Sequence, residues 1–136
     1  MKMKVAFLFA ILILASSFGK VRGIHDQFLH GKWRVVKKEE MKGQEWSNST
    51  VKECDKDDQL VIAPTGSLKI DIGSVHCKER EINIEGTWKL TNEVNLTFTI
   101  KGIAFTQTVI KLTKDTLVLQ LPRHGGPLKR TTFTKK

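Results

Sequence analysis

The sequence predicts an all-β domain, an antiparallel up-and-down meander of about eight strands that closes into a barrel behind a short N-terminal helical turn. Apolar and polar residues alternate over 82–90 and again over 94–100, as in strands with one buried and one solvated face. Connections of only two residues separate successive apolar segments, and such connections require antiparallel neighbours. Two Gly-x-Trp triplets, beginning at Gly31 and Gly86, belong to the predicted strands.

The first 19 residues have the pattern of a cleaved signal peptide, so we expect the domain to comprise residues 20–136. Lys2 and Lys4 precede the uncharged apolar run 5–15, and small residues follow it. Eleven apolar residues are too few for a membrane span, which needs roughly 20. No later segment is long enough or apolar enough to span either, so a secreted or periplasmic protein is expected.

The first half of the domain is expected to contain a helical turn, a strand and a hairpin. Segment 24–30 is sufficient for one helical turn, and Trp33 lies on the strand that follows. The polar segment 43–56 is expected to be a loop or an irregular hairpin. Residues 60–63 then pair with 68–72 through Pro64-Thr65-Gly66-Ser67, where proline fixes φ and glycine accepts a positive φ.

The second half of the domain is predicted to be a meander, in which each strand is connected to its neighbour in the sheet. The predicted strands are 82–91, 94–100, 103–113, 116–121 and 128–135. A two-sheet sandwich usually needs longer crossing connections, whereas closing a meander into a barrel removes both exposed edges. The connectivity therefore favours the barrel.

Cys54 and Cys77 are the only cysteines, and an exported protein favours their pairing in a disulfide. A bridge across this separation would stabilise the fold by about 3 kcal/mol in the chain-entropy model. A redox pair would be expected to have a Cys-x-x-Cys spacing, which is absent. A zinc site would need two or more further ligands, and only His76 is nearby.

Four features follow one another in the sequence: Gly31-Lys32-Trp33, the run 54–58 followed by the turn 64–67, Cys77 ahead of 85–90, and a closing meander with 116–119 and Phe133. In this order they resemble the lipocalin-like families of the calycin group, most closely the small bacterial exported lipocalin-like domain. Together they cover nearly the whole mature chain. The resemblance implies that Trp33 plugs the closed end of the barrel and that Lys129 or Arg130 packs across it. A lipid-anchor cysteine, present in many relatives, is absent here.

Inward-facing aromatic and aliphatic residues are the candidate ligand-binding set. They are Trp33, Trp88, Phe98, Phe105, Leu117, Leu119 and Phe133. One hypothesis is a non-catalytic carrier whose barrel takes up a small apolar molecule. The two tryptophans also have a purely structural interpretation, because burying an indole contributes a few kcal/mol to a small domain.

The formal net charge of +9 supports a second hypothesis, a secreted basic protein with a filled barrel. Its lysine patches, 37–38, 129–130 and 135–136, would bind an anionic surface or a partner protein. Nucleic acid is not expected as a partner, because no aromatic residues are regularly interleaved with these basic residues.

Nothing in the sequence predicts an enzyme, a metal site or a cofactor. The four histidines are scattered, and no nucleophile motif or His-Glu-x-x-His motif is present. Asp57 and Asp58 are paired carboxylates, but in a polar loop we expect them to be solvated. Asn48 and Asn95 match the N-glycosylation acceptor pattern, which only a eukaryotic host would use.

Overall fold

The computed structural model describes residues 26–75, 83–123 and 125–136, and these form the predicted all-β fold. A 3-10 turn at Asp26–Phe28 precedes the first strand. The strands are β1 (Gly31–Lys42), β2 (Glu45–Ser49), β3 (Gln59–Ile62), β4 (Ser67–Asp71), β5 (Asn83–Thr91), β6 (Asn95–Ile100), β7 (Ile103–Leu112), β8 (Thr116–Leu121) and β9 (Lys129–Lys135), and one short helix, α1, spans Glu53–Lys56. The expected signal peptide and the residues His76 and Cys77 lie outside the described residues.

Eight antiparallel strands close into a barrel, as predicted. Strands β3 to β9 pair in sequence order, β1 pairs with β3, and β9 returns to pair with β1. The closing ladder places Val35 opposite Phe133 and Trp33 opposite Lys135. Strand β2 is an additional strand that pairs with β1.

Strand β1 is long because its two halves have different neighbours. Its first residues, Gly31 to Trp33, pair with β3, and its last residues, Lys38 to Lys42, pair with β2. The register with β9 shifts between Val35 and Lys37, and such a bulge bends a strand and increases its twist. The polar segment 43–56, expected to be a loop or an irregular hairpin, instead contains β2, which pairs with β1 in one uninterrupted register, and the helix α1.

The core follows the predicted alternation, with Leu96 and Phe98 of β6 and Leu117 and Leu119 of β8 buried. The buried cluster consists of Leu29, Trp33, Leu60, Ile62, Leu68, Leu96, Phe98, Val109, Leu117 and Leu119. The short connections of the meander adopt positive φ at Asn92 and Glu93 between β5 and β6, and at Lys101 and Gly102 between β6 and β7. Positive φ at both positions matches the twist of the flanking strands, which keeps neighbours antiparallel.

The barrel has two different ends. The 3-10 turn and Trp33 lie at one, which we name the closed end. The β6–β7 connection, helix α1 and the start of β3 lie at the other, which we name the open end. Among the described residues, no helix is both long and apolar enough to cross a membrane.

Candidate ligand cavity

Trp33 seals the closed end of the barrel. Its side chain is completely buried, and its indole N–H donates a hydrogen bond to the carbonyl oxygen of Leu29 at 2.8 Å. The ammonium group of Lys135 lies 4.7 Å from the centre of the indole ring and donates to the carbonyl oxygen of Phe28 at 3.0 Å. The cation thus ties the N-terminal turn to the ring, an arrangement that adds a cation–π attraction to apolar burial.

The expectation that Lys129 or Arg130 packs across Trp33 is wrong. Register explains the error, because Lys135 is directly opposite Trp33, whereas Arg130 is opposite Glu39. The guanidinium group of Arg130 instead stacks on Trp46 of the additional strand, 3.9 Å from the ring centre.

Gly31 has a specific role in this closure. Its φ of +136° lies in the region that glycine tolerates best. A Cβ at this position would also lie only 3.1 Å from Cε of Lys135. The Gly-x-Trp triplet therefore combines a backbone conformation, space for the covering lysine, and the ring that the lysine covers.

A cavity of about 330 Å³ lies between Trp33 and the open end. Its apolar wall consists of Trp33, Val35, Leu60, Ile70, Ile72, Ile84, Phe98 and Phe133. Small-molecule sites in proteins are typically about 300–1,000 Å³ with mainly apolar walls. The cavity is at the small end of that range and has the expected character.

The polar side chains of the lining are Lys38, Asp55, Asp58, Gln59 and Gln107. The ammonium group of Lys38 forms an ion pair with the carboxylate of Asp55 at 3.1 Å. Asp58 accepts a hydrogen bond from the backbone N–H of Gly73 at 2.9 Å. The charged groups of the mouth are thus engaged with protein partners.

The structure separates the predicted ligand-binding residues into distinct groups. Trp33, Phe98 and Phe133 line the cavity, whereas Leu117 and Leu119 are completely buried in the core. Trp88 is half-buried and its indole N–H donates to the carbonyl oxygen of Ala63 at 2.7 Å. Of the predicted residues named here, only Trp33, Phe98 and Phe133 are brought together around the cavity.

Phe105 does not line this cavity, contrary to expectation, because its side chain is 50% exposed. The register places it directly opposite Phe98, so its face was predicted correctly. Its position along the strand explains the difference, because Phe105 lies near the open end of β7, beyond the cavity wall.

Several lining residues were not predicted from the sequence. Ile70 and Ile84 are cross-strand partners on β4 and β5, and the apolar alternation of those strands could have identified them. Lys38 and Asp55 could not be identified in that way, because the bulge in β1 and the four-residue helix α1 bring them together.

Asp57 and Asp58 are not simply solvated, as the sequence suggested. A carboxylate oxygen of Asp57 accepts hydrogen bonds from the backbone N–H groups of Ser74 at 2.8 Å and Val75 at 3.3 Å. Desolvation opposes ionisation, but these hydrogen bonds outweigh it and hold the pKa of Asp57 below its usual value. The two carboxylates therefore organise the segment that follows β4.

Two further expectations concern cysteine and metal ligands. Cys54 is buried on α1, and its expected partner lies outside the described residues, so the disulfide stays a prediction. Within the described ranges, no group of three or more His, Cys, Asp or Glu side chains is arranged to hold a metal ion.

Comparison with known proteins agrees with this architecture. The family profile of the lipocalin-like domain matches residues 29–119. The solved structure of a lipocalin-like protein from Bacteroides uniformis superposes on this chain with a TM-score of 0.59. The match covers 80% of this chain and 99% of that chain at 14% sequence identity, so it shows a similarity of fold. No curated protein matches the sequence. With most of the barrel matched by the family profile, the chain belongs to the lipocalin-like domain family.

Proposed function

We propose that the protein is a non-catalytic binding module that carries a small apolar molecule in its barrel. The observation that supports this proposal is the cavity of about 330 Å³, with eight apolar side chains around it and Trp33 as its floor. A filled barrel would place those side chains in mutual contact, as at Leu117 and Leu119. A ligand in this cavity would remove apolar surface from water without rearranging the fold.

The distribution of polar groups suggests the shape of the ligand. An apolar body would lie against the isoleucines and Phe98, and a polar group would lie near the mouth. The amide of Gln107 can donate and accept hydrogen bonds there. Because Lys38 is already paired with Asp55, a neutral polar group fits this mouth better than a carboxylate, which would compete with Asp55.

The alternative, a filled barrel that binds anionic partners through the three lysine patches, is less well supported. Lys37 forms an ion pair with Glu39 at 2.7 Å, Lys38 is paired with Asp55, and Lys135 is engaged at the closed end. The patches 37–38 and 135–136 therefore each contain a lysine that serves the fold itself.

Export and the disulfide between Cys54 and Cys77 form part of the proposal. The charged and apolar pattern of residues 1–19 supports export, and the burial of Cys54 on α1 is consistent with a structural disulfide. The intact mass of the exported chain, measured under denaturing conditions with and without reductant, tests both. A mass that includes the leader, or one unchanged by reduction, would contradict them.

A cavity-filling substitution tests the carrier proposal. Ile84→Phe adds volume to the cavity wall, and we expect it to weaken binding of the neutral fluorescent probe N-phenylnaphthylamine at least about tenfold, because the added ring occupies the ligand's space. Ile110→Phe is the matched control, because Ile110 is 43% exposed and is not part of the cavity lining. Fluorescence titrations with thermal melts of each variant separate lost binding from lost folding.

Two results would contradict the carrier proposal. One is equal probe affinity for both variants and the unmodified protein, which would place the probe outside the barrel. The other is an affinity that falls steeply as ionic strength rises, because binding in an apolar cavity is insensitive to salt whereas contact with surface lysines is screened.

A further inference from the structure

Apolar side chains are exposed on one side of the open end. We name this surface the apolar lip and define it as Ile103, Phe105, Leu121 and Pro122. Ile103 is 59% exposed, Phe105 50% and Leu121 38%. Single exposed apolar residues are common on proteins, but a contiguous patch of them marks an interaction surface.

The lip is a continuous surface formed by the ends of two neighbouring strands. Phe105 of β7 lines a shallow depression together with Leu121 and Pro122 at the end of β8. Ile103 is the first residue of β7, directly after the β6–β7 connection. These side chains extend the inner apolar face of the barrel beyond its edge, since Ile103 is opposite Ile100 and Phe105 is opposite Phe98.

Cations flank the lip. Residues 94–136 contain eight lysines and arginines, but Lys111, Lys114, Lys135 and Lys136 lie toward the closed end, Arg130 stacks on Trp46, and Lys129 is opposite Glu40. Three of these cations, Lys101, Arg123 and Lys129, are exposed near the lip. Asp115 precedes β8 at the opposite end of the barrel.

We propose that the open end of this barrel docks on an anionic phospholipid surface. The lip would enter the boundary between headgroups and acyl chains, and Lys101, Arg123 and Lys129 would contact lipid phosphates. Exposed apolar residues flanked by cations are the combination that binds anionic membranes peripherally. The docking does not depend on a ligand in the cavity.

Charge argues for lipid over a second copy of the chain. A symmetric dimer formed through the lip would bring the same three cations of both copies together, and like charges in one interface oppose association. An anionic lipid surface instead neutralises them.

The location of the lip connects docking with the cavity. The lip lies at the same end of the barrel as the cavity mouth, which is marked by Lys38 and Asp55. A docked barrel would therefore present its mouth toward the lipid, and an apolar molecule could pass between bilayer and cavity with little exposure to water.

Vesicle flotation tests the proposal, using phosphatidylcholine vesicles with and without phosphatidylserine. The purified protein is expected to float with the phosphatidylserine vesicles at low salt and to dissociate as salt rises. Arg123→Gln combined with Lys129→Gln should weaken partitioning by roughly fivefold for each cation removed. The matched control is Lys111→Gln with Lys114→Gln, which removes the same charge from exposed positions toward the closed end.

A second pair of variants tests the apolar contribution. Ile103→Ser with Phe105→Ser should lose most vesicle binding, whereas Val36→Ser with Ile110→Ser, which removes apolar side chains of similar exposure elsewhere, should keep it. All four positions are exposed, so folding should persist and is checked by thermal melts.

Three outcomes would overturn the proposal. Equal losses in the lip and control charge variants would indicate diffuse electrostatic attraction without a docking face. Unchanged binding after removal of Ile103 and Phe105 would exclude insertion of the lip. A dimer in solution that becomes monomeric in the lip variant would assign this surface to self-association.

Discussion

At the scale of single residues, Gly86 shows why the second Gly-x-Trp triplet contains glycine. Gly86 is between Leu68 and Ile100 in the sheet. A Cβ built on Gly86 would overlap the backbone carbonyl oxygen of Thr99 and press against the side chain of Ile100. Backbone atoms of a paired strand cannot move aside as a flexible side chain can, so this position excludes larger residues.

We therefore expect Gly86→Ala to reduce the free energy of unfolding by about 1–3 kcal/mol, the usual cost of overpacking. Gly126→Ala is the control, because a Cβ there would meet no atom within 4 Å. Denaturant melts of both variants provide the measurement. Equal stabilities of the two variants would show that strand β6 accommodates the methyl group.

The same scale shows where sequence reasoning succeeds and fails. Alternation predicted that Phe98 and Phe105 share a face, and the register confirms it. Alternation contains no information about how far along the barrel axis a residue lies, so it could not distinguish the buried Phe98 from the exposed Phe105. The prediction that Lys129 or Arg130 covers Trp33 was wrong for a related reason. The pairing of β9 with β1 depends on a bulge, which alternation does not reveal.

At the scale of elements, the carboxylate of Asp57 connects the end of α1 to the segment after β4. It accepts hydrogen bonds from the backbone N–H groups of Ser74 and Val75 and from the hydroxyl group of Ser74. A Cβ on Gly73 would overlap the same carboxylate, so this approach also depends on glycine. These contacts support the rim of the cavity beside Ile72 and Asp58.

This connection should be sensitive to acid. Because the fold lowers the pKa of Asp57 below its ordinary 3.8, its stabilising contribution is complete above pH 3.8 and is lost as the pH falls through the lower, folded-state pKa. The amide resonances of Ser74 and Val75 should therefore shift with a midpoint below 3.8, and Asp57→Asn should abolish that titration. A midpoint at or above 3.8 would contradict the assigned hydrogen bonds.

Elements with strong periodicity were predictable and short irregular ones were not. The short polar connections and the alternating strands of the meander predicted β5 to β8 nearly residue by residue. Helix α1 is four residues long, too short for a helical pattern to emerge. Strand β2 lies within a polar stretch, because an additional strand outside the barrel has little apolar surface to bury.

At the scale of the whole molecule, barrel closure followed from connectivity, and the cavity did not. A count of about eight strands allows either a packed interior or room for one small ligand. The difference depends on side-chain volumes across the barrel, which a one-dimensional pattern does not report. In this protein Leu117 and Leu119 are completely buried in the packed core, and the cavity lies beside that core, between Trp33 and the mouth.

Native mass spectrometry of the protein purified from its natural host tests the central claim, the carriage of a small molecule, most directly. We expect a complex heavier than the denatured chain by the mass of one small, mainly apolar molecule, and we expect Ile84→Phe to reduce the fraction that carries it. Ile110→Phe should retain the same adduct. Identical native and denatured masses, in protein that also fails to bind N-phenylnaphthylamine, would contradict the account of this barrel as a carrier.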